Sequence, residues 1–101
     1  MATLRYQITQ VPNVKQQLRR HAQHAVLKGR EATVALALRQ IMRRLEIDPA
    51  SFGEPAYRTK KSGGLVYKVV HQPFSVTYAV YEPDKTVLLI DVSPMPRSFM
   101  E

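Results

Sequence analysis

Lys68, His71, Ser75, Tyr78 and Tyr81 fall within one stretch, GGLVYKVVHQPFSVTYAVYE (63–82), and each carries a group able to handle a proton or a phosphate. Just before it stand Arg58, Lys60 and Lys61. Residues 55–81 hold four basic side chains and no acidic one. One-signed charge interleaved with hydroxyls and aromatics suits a phosphate backbone with a stacked base. Other constellations carry less. His21 and His24 have a spacing that could hold a metal, but no third histidine or carboxylate accompanies them, so a surface pair is expected. No serine has a partner motif that would make it a nucleophile. SGG (62–64) reads as a turn, since a phosphate loop needs a following helix.

The whole chain narrows the context. Its 101 residues fit one domain, and the absence of cysteine excludes a disulfide scaffold and a thiolate metal site. The net charge is +7, and it is uneven: residues 1–45 carry nine basic side chains and one acidic, Glu31, whereas residues 46–101 are nearly balanced. Such a basic half favours a polyanion or an acidic protein as partner. MATLRYQITQ lacks the apolar core of a signal peptide, and no apolar run is long enough for a bilayer. A cytoplasmic protein with no membrane association is expected.

The elements that must position these residues follow from periodicity. TLRYQIT (3–9) alternates as a strand. Pro12 and Asn13 open a helix with its apolar stripe at Val14, Leu18, Ala22, Ala25 and Val26, stopped at Gly29. A second helix runs from about residues 30–33 to Pro49, with Val34, Leu38, Ile41, Met42 and Leu45 inward. DPASFGEP (48–55) reads as a loop. The period then drops to two: AYRTKK, LVYKVVHQ, FSVTYAVYE and TVLLIDVS read as four strands joined by tight turns. The order β-α-α-β-β-β-β predicts an α+β two-layer domain over residues 1–101, a helical hairpin packed on one face of a four- to five-stranded, mainly antiparallel sheet.

Strand parity then sorts the side chains. Phe74, Val76, Tyr78 and Val80 should face the helices, as should Leu88, Ile90 and Val92. Lysine is almost never fully buried, so Lys68 belongs to the open face, and Leu65, Tyr67, Val69 and His71 to the other. Arg58 and Lys60 are assigned to the open face on the same ground. That face is expected to carry Arg58, Lys60, Lys68, Ser75, Thr77 and Tyr81 over a floor of Val66, Val70, Val87 and Leu89. His71 is expected to be structural or at the rim.

The order of elements, the L..DP..FGEP connection, YKVV at 67–70, VTYAV, and TVLLIDVS after it resemble the RelE/ParE superfamily of type II toxin–antitoxin systems, known also for plasmid stabilisation. The likeness spans nearly the whole chain. It implies a toxin that acts on translation by cutting mRNA inside the ribosome, an endoribonuclease needing no metal or other cofactor. It also implies a partly disordered, acidic antitoxin that binds the toxin in a hetero-oligomer. Lys68 matches the family's catalytic lysine. RNA cleavage by the 2′-hydroxyl needs a base for its proton, cations for the phosphorane and an acid for the leaving 5′-oxygen. Lys68, Arg58 and Lys60 are expected to be catalytic, and Lys61, Ser75, Thr77, Tyr81 and Arg97 to hold RNA. Val70 and Ser75 stand where the resemblance implies a lysine and an arginine. This motivates the alternative expectation: a ParE-like DNA gyrase inhibitor without enzymatic activity, or a basic binding module on the same fold.

Overall fold

A computed structural model describes residues 5–59 and 63–95. It contains β1 (Gln7–Gln10), α1 (Pro12–Lys28), α2 (Glu31–Ile47), α3 (Pro49–Phe52), β2 (Glu54–Arg58), β3 (Leu65–His71), β4 (Phe74–Tyr81) and β5 (Thr86–Pro94). The strands form one sheet in the order β1-β5-β4-β3-β2. β2 to β5 are antiparallel neighbours in chain order, and β1 returns beside β5 in parallel. This is the α+β, helices-on-a-sheet architecture that the periodicity predicts. The DPASFGEP segment differs from expectation: Pro49 at the first helical position starts a single turn, α3, and β2 begins directly after Gly53.

The helices form where their caps allow. Pro12 occupies the first turn of α1, and Gly29 closes it in the left-handed conformation (φ 67°), its N–H donating to the carbonyls of Ala25 and Val26. From α2, Val34, Ala37, Ile41 and Leu45 meet Tyr67, Phe74, Val76, Tyr78 and Val80 in one core. Removing each valine, leucine, isoleucine or phenylalanine side chain among them from water contributes about 1.5–3 kcal/mol. On α1 the inward face is Val14, His21 and Ala25 with Leu18 half-buried, whereas Ala22 and Val26 are exposed. The helix is therefore rotated from the expected stripe, and His21 is buried rather than part of a surface pair.

That rotation has a cause at the sheet edge. β1 pairs with β5 only over Thr86–Leu89, which leaves the later part of β5 as an edge. α1 covers it. The Val92 N–H donates to Gln17 Oε1 (3.1 Å), and His21 Nε2 donates to the Val92 carbonyl (2.6 Å). One turn apart on α1, the two side chains stand in for a strand partner, as an edge whose backbone groups are buried requires.

Two β-bulges decide which face each residue uses. In β5, Thr77 lies opposite Asp91 but Tyr78 lies opposite Leu89, so Ile90 is the extra residue. Val87 and Leu89 are consequently buried under the helices, and Leu88 takes the open face beside Ala79. The expectation of Leu88 and Ile90 inward, with Val87 and Leu89 outward, is reversed by that one residue. Val92, Asp91 and Ser93, beyond the bulge, keep their expected faces. In β2, Pro55 lies opposite Tyr67 and Tyr57 opposite Val66, so Ala56 is the extra residue. The bulge turns Tyr57 to the open face and puts Arg58 opposite Leu65, on the helix side.

Candidate functional site

The open face has Lys68 near its centre. Antiparallel register aligns Glu54, Lys68, Thr77 and Asp91 in one row across β2–β5, and Val70, Ser75 and Ser93 in the next. Directly opposite residues share a face, with Cα atoms about 4.5–5.5 Å apart. Lys68 and Glu54 are both exposed. Among the described residues the ion pairs are Arg5–Glu46 and Lys85–Glu82, so Lys68 and Glu54 keep their charges unspent.

A cleft of about 520 Å³ opens beside this pair, lined by Phe52, Gly53, Glu54, Lys68, Val69, Val70 and Ser75. Its wall exists because β2 starts only at Glu54, opposite Lys68, leaving Val69–His71 of β3 without a strand partner on that side. α3 closes the cleft's end. Its position is set by Tyr78, which is fully buried and donates from its hydroxyl to the Pro49 carbonyl (2.6 Å). The Tyr78 ring stacks on Tyr67 (centroids 5.4 Å apart) and on Phe52 (6.2 Å), and the Arg44 guanidinium lies 5.0 Å above the Phe52 ring. Burial pushes the Tyr78 phenol up to about 12, partly offset by a backbone hydrogen bond from Gly53. Tyr78 is thus a neutral strut and not an acid–base group. Gly53 completes the joint: a Cβ there would sit 2.8 Å from Tyr78 Oη and 2.9 Å from the Lys68 carbonyl oxygen. Only glycine lets the chain pass close enough to bring Glu54 opposite Lys68.

The structure gathers Lys68, Ser75 and Thr77, as the sequence reading expects. It does not gather the rest. Arg58 stands three residues along from the Lys68 row, about 10 Å, on the other face, with its Nη1 donating to the Gly63 carbonyl (2.9 Å). Tyr81 lies at the opposite end of β4, four residues or about 13 Å from Thr77, its ring packed on Gly64. Lys60, Lys61 and Arg97 lie outside the described residues. His71 is at the helix-side rim, its Nε2 donating to Gln40 Oε1 (3.0 Å), with Phe52 beside it. Among the described residues no three His, Asp or Glu side chains converge as a metal site would need, and His21 spends its Nε2 on Val92.

Glu54 is the participant that sequence reasoning misses. Its signal is the glycine before it: FGEP joins a helical turn to a strand, and the acid falls on the first residue of that strand. Chemically the arrangement pairs an exposed ammonium with an exposed carboxylate and a serine hydroxyl at the lip of one cleft. A carboxylate can take a proton while the ammonium stabilises the charge that builds on a phosphoryl group.

Comparison with protein-family models, curated proteins and solved structures finds no match to this chain.

Proposed function

We propose that this chain is the toxin of a type II toxin–antitoxin pair, of the RelE/ParE kind, and that it cuts mRNA engaged on the ribosome. The observation that carries the reading is the unpaired Lys68 opposite Glu54 on the open sheet face, beside a cleft of about 520 Å³. In this scheme the Glu54 carboxylate takes the proton of a ribose 2′-hydroxyl. The 2′-oxygen attacks the adjacent phosphorus, the bond to the 5′-oxygen breaks, and a 2′,3′-cyclic phosphate remains. Lys68 Nζ stabilises the equatorial oxygens of the phosphorane, and the leaving 5′-oxygen is protonated by water. Ser75 and Thr77 hold the backbone. The exposed arginines of the helices, Arg19, Arg39 and Arg43 among them, offer an acidic antitoxin its counter-charge.

The test is growth arrest on induction together with cleavage of ribosome-bound mRNA. Lys68→Ala should reduce cleavage by about 10²–10³-fold, and Glu54→Gln by about 10²–10⁴-fold. Arg58→Ala, on the far face, should cost less than tenfold. Undiminished cleavage by Lys68→Ala would remove this mechanism. One observation favours a second reading: with Arg58 turned away, Lys68 is the only cation among the described residues of the open face, with Glu54 directly opposite it and Asp91 two strands along the same row. A gyrase inhibitor needs no phosphorane clamp. Inhibition of supercoiling without RNA cleavage would select it.

A further inference from the structure

A second cleft, about 340 Å³, lies where α1 crosses the edge of β5, and the proposed chemistry does not use it. It is lined by Gln17, Arg20, His21, His24, Val92, Ser93 and Pro94. Two of these side chains have no polar partner among the described residues. Arg20 is exposed and makes no ion pair or hydrogen bond among the described residues. His24 Nε2 is shielded from water and has no hydrogen-bond partner, a condition that native structures rarely leave unexplained. Their neighbours are committed: Gln17 bridges Asp91 and the Val92 N–H, and His21 holds the Val92 carbonyl. Asp91, bonded to two residues of the cleft lining, accepts from Gln17 Nε2 (2.8 Å) and Ser93 Oγ (2.7 Å), so both its oxygens are engaged.

Residues of one register row line both clefts. Val70 lines the first, Ser93 lines the second, and Ser75 lies between them in one directly opposed row across β3, β4 and β5. Two inter-strand steps are about 10 Å, the rise of about three stacked nucleotides. We propose that this row is a track for single-stranded RNA, and that Arg20 and His24 hold a backbone phosphate on the far side of β5 from Lys68. A phosphate oxygen in the second cleft, with the His24 ring turning to meet it, gives the orphan nitrogen its partner and Arg20 its counter-charge. This rests on the reading of the open face as an RNA site and adds where the strand leaves it.

The experiment measures binding of a fluorescent 2′-O-methyl 12-mer, which cannot be cut, to the intact chain by anisotropy over a range of salt. Arg20→Gln and His24→Gln should each weaken binding about tenfold at low salt, and Arg20→Gln should reduce the salt slope by about 0.7, one phosphate on a single strand. Lys15→Gln and Lys28→Gln, exposed on α1 but outside the cleft, should each change affinity less than twofold. Equal losses from all four variants would mean diffuse attraction by a basic helix and would overturn the track. Wild-type affinity in Arg20→Gln and His24→Gln, with RNA still bound and cut, would overturn the track alone. Failure of the wild-type chain to bind the oligonucleotide would overturn the track and the RNA reading together.

Discussion

Gly53→Ala tests how the site is held. Gly53 has φ −115° and ψ −175°, extended backbone that alanine adopts freely. Were space available, alanine would stabilise the fold by about 0.4–1 kcal/mol, by restricting the unfolded chain. Space is not available. The added methyl would lie 2.8 Å from Tyr78 Oη and 2.9 Å from the Lys68 carbonyl oxygen. The carbonyl belongs to a strand paired on both sides and cannot yield cheaply. The hydroxyl can move only by giving up its bond to the Pro49 carbonyl, in a place where Tyr78 is fully buried. Overpacking costs about 1–3 kcal/mol, and a broken buried hydrogen bond about 1–3 more. We expect a net loss of about 2–4 kcal/mol, which lowers the melting temperature by roughly 10–30 °C. Urea unfolding should show a lower midpoint at an unchanged slope. A double variant with Tyr78→Phe should lose less than the sum of the two single losses, because the phenyl ring removes one of the two clashes. Melting of Gly53→Ala at or above the wild-type temperature would refute the close-approach account of this joint. Under the proposed function, cleavage should fall as well, because Glu54 is displaced along with Gly53.

Two further perturbations probe other parts of the fold. The phenol of Tyr78 titrates near 12 in the folded chain and near 10 when unfolded. Between those values the unfolded state has lost a proton that the native state keeps, so stability falls as pH rises. The slope approaches about 1.4 kcal/mol per pH unit, and denaturant titrations from pH 9 to 12 should show that slope reduced in Tyr78→Phe. Gln17→Ala should cost about 1–3 kcal/mol by leaving the Val92 N–H unpaired at the β5 edge. A combined Gln17→Ala, His21→Ala chain should also self-associate through that edge, which size-exclusion chromatography across a concentration series would reveal.

Much of the scaffold is legible in the chain. The change of apolar period after residue 53, the Gly29 stop and the short strand connections determine two helices followed by a meander, and a lysine among alternating valines determines that Lys68 faces away from them. The rotation of α1 is not legible, because the stripe reading ranks Ala22 and Val26 above a histidine. What buries His21 is a backbone carbonyl 71 residues away. Nor is Glu54 legible as a site residue. It is an ordinary acid beside a proline until Gly53 and Tyr78 fix the joint that sets it opposite Lys68.

The sequence by itself determined the order of the strands and, for β3, β4 and β5, which residues form them and how they alternate, whereas β1 and β2 lie displaced from the stretches expected for them. Only the tertiary structure decided where the alternation is interrupted. A bulge needs one unpaired residue, and Ala56 and Ile90 have nothing in their types that announces it; pairing with β3 and β4 selects them. Because a strand has a period of two, one extra residue sends every later side chain to the other face. Ala56 in this way takes Arg58 out of the open face and brings Tyr57 in, and Ile90 sets apart the buried Val87 and Leu89 from the Asp91–Ser93 end that borders the second cleft. Lys68 lies on a strand with no bulge of its own, and for that reason its place was readable from the start.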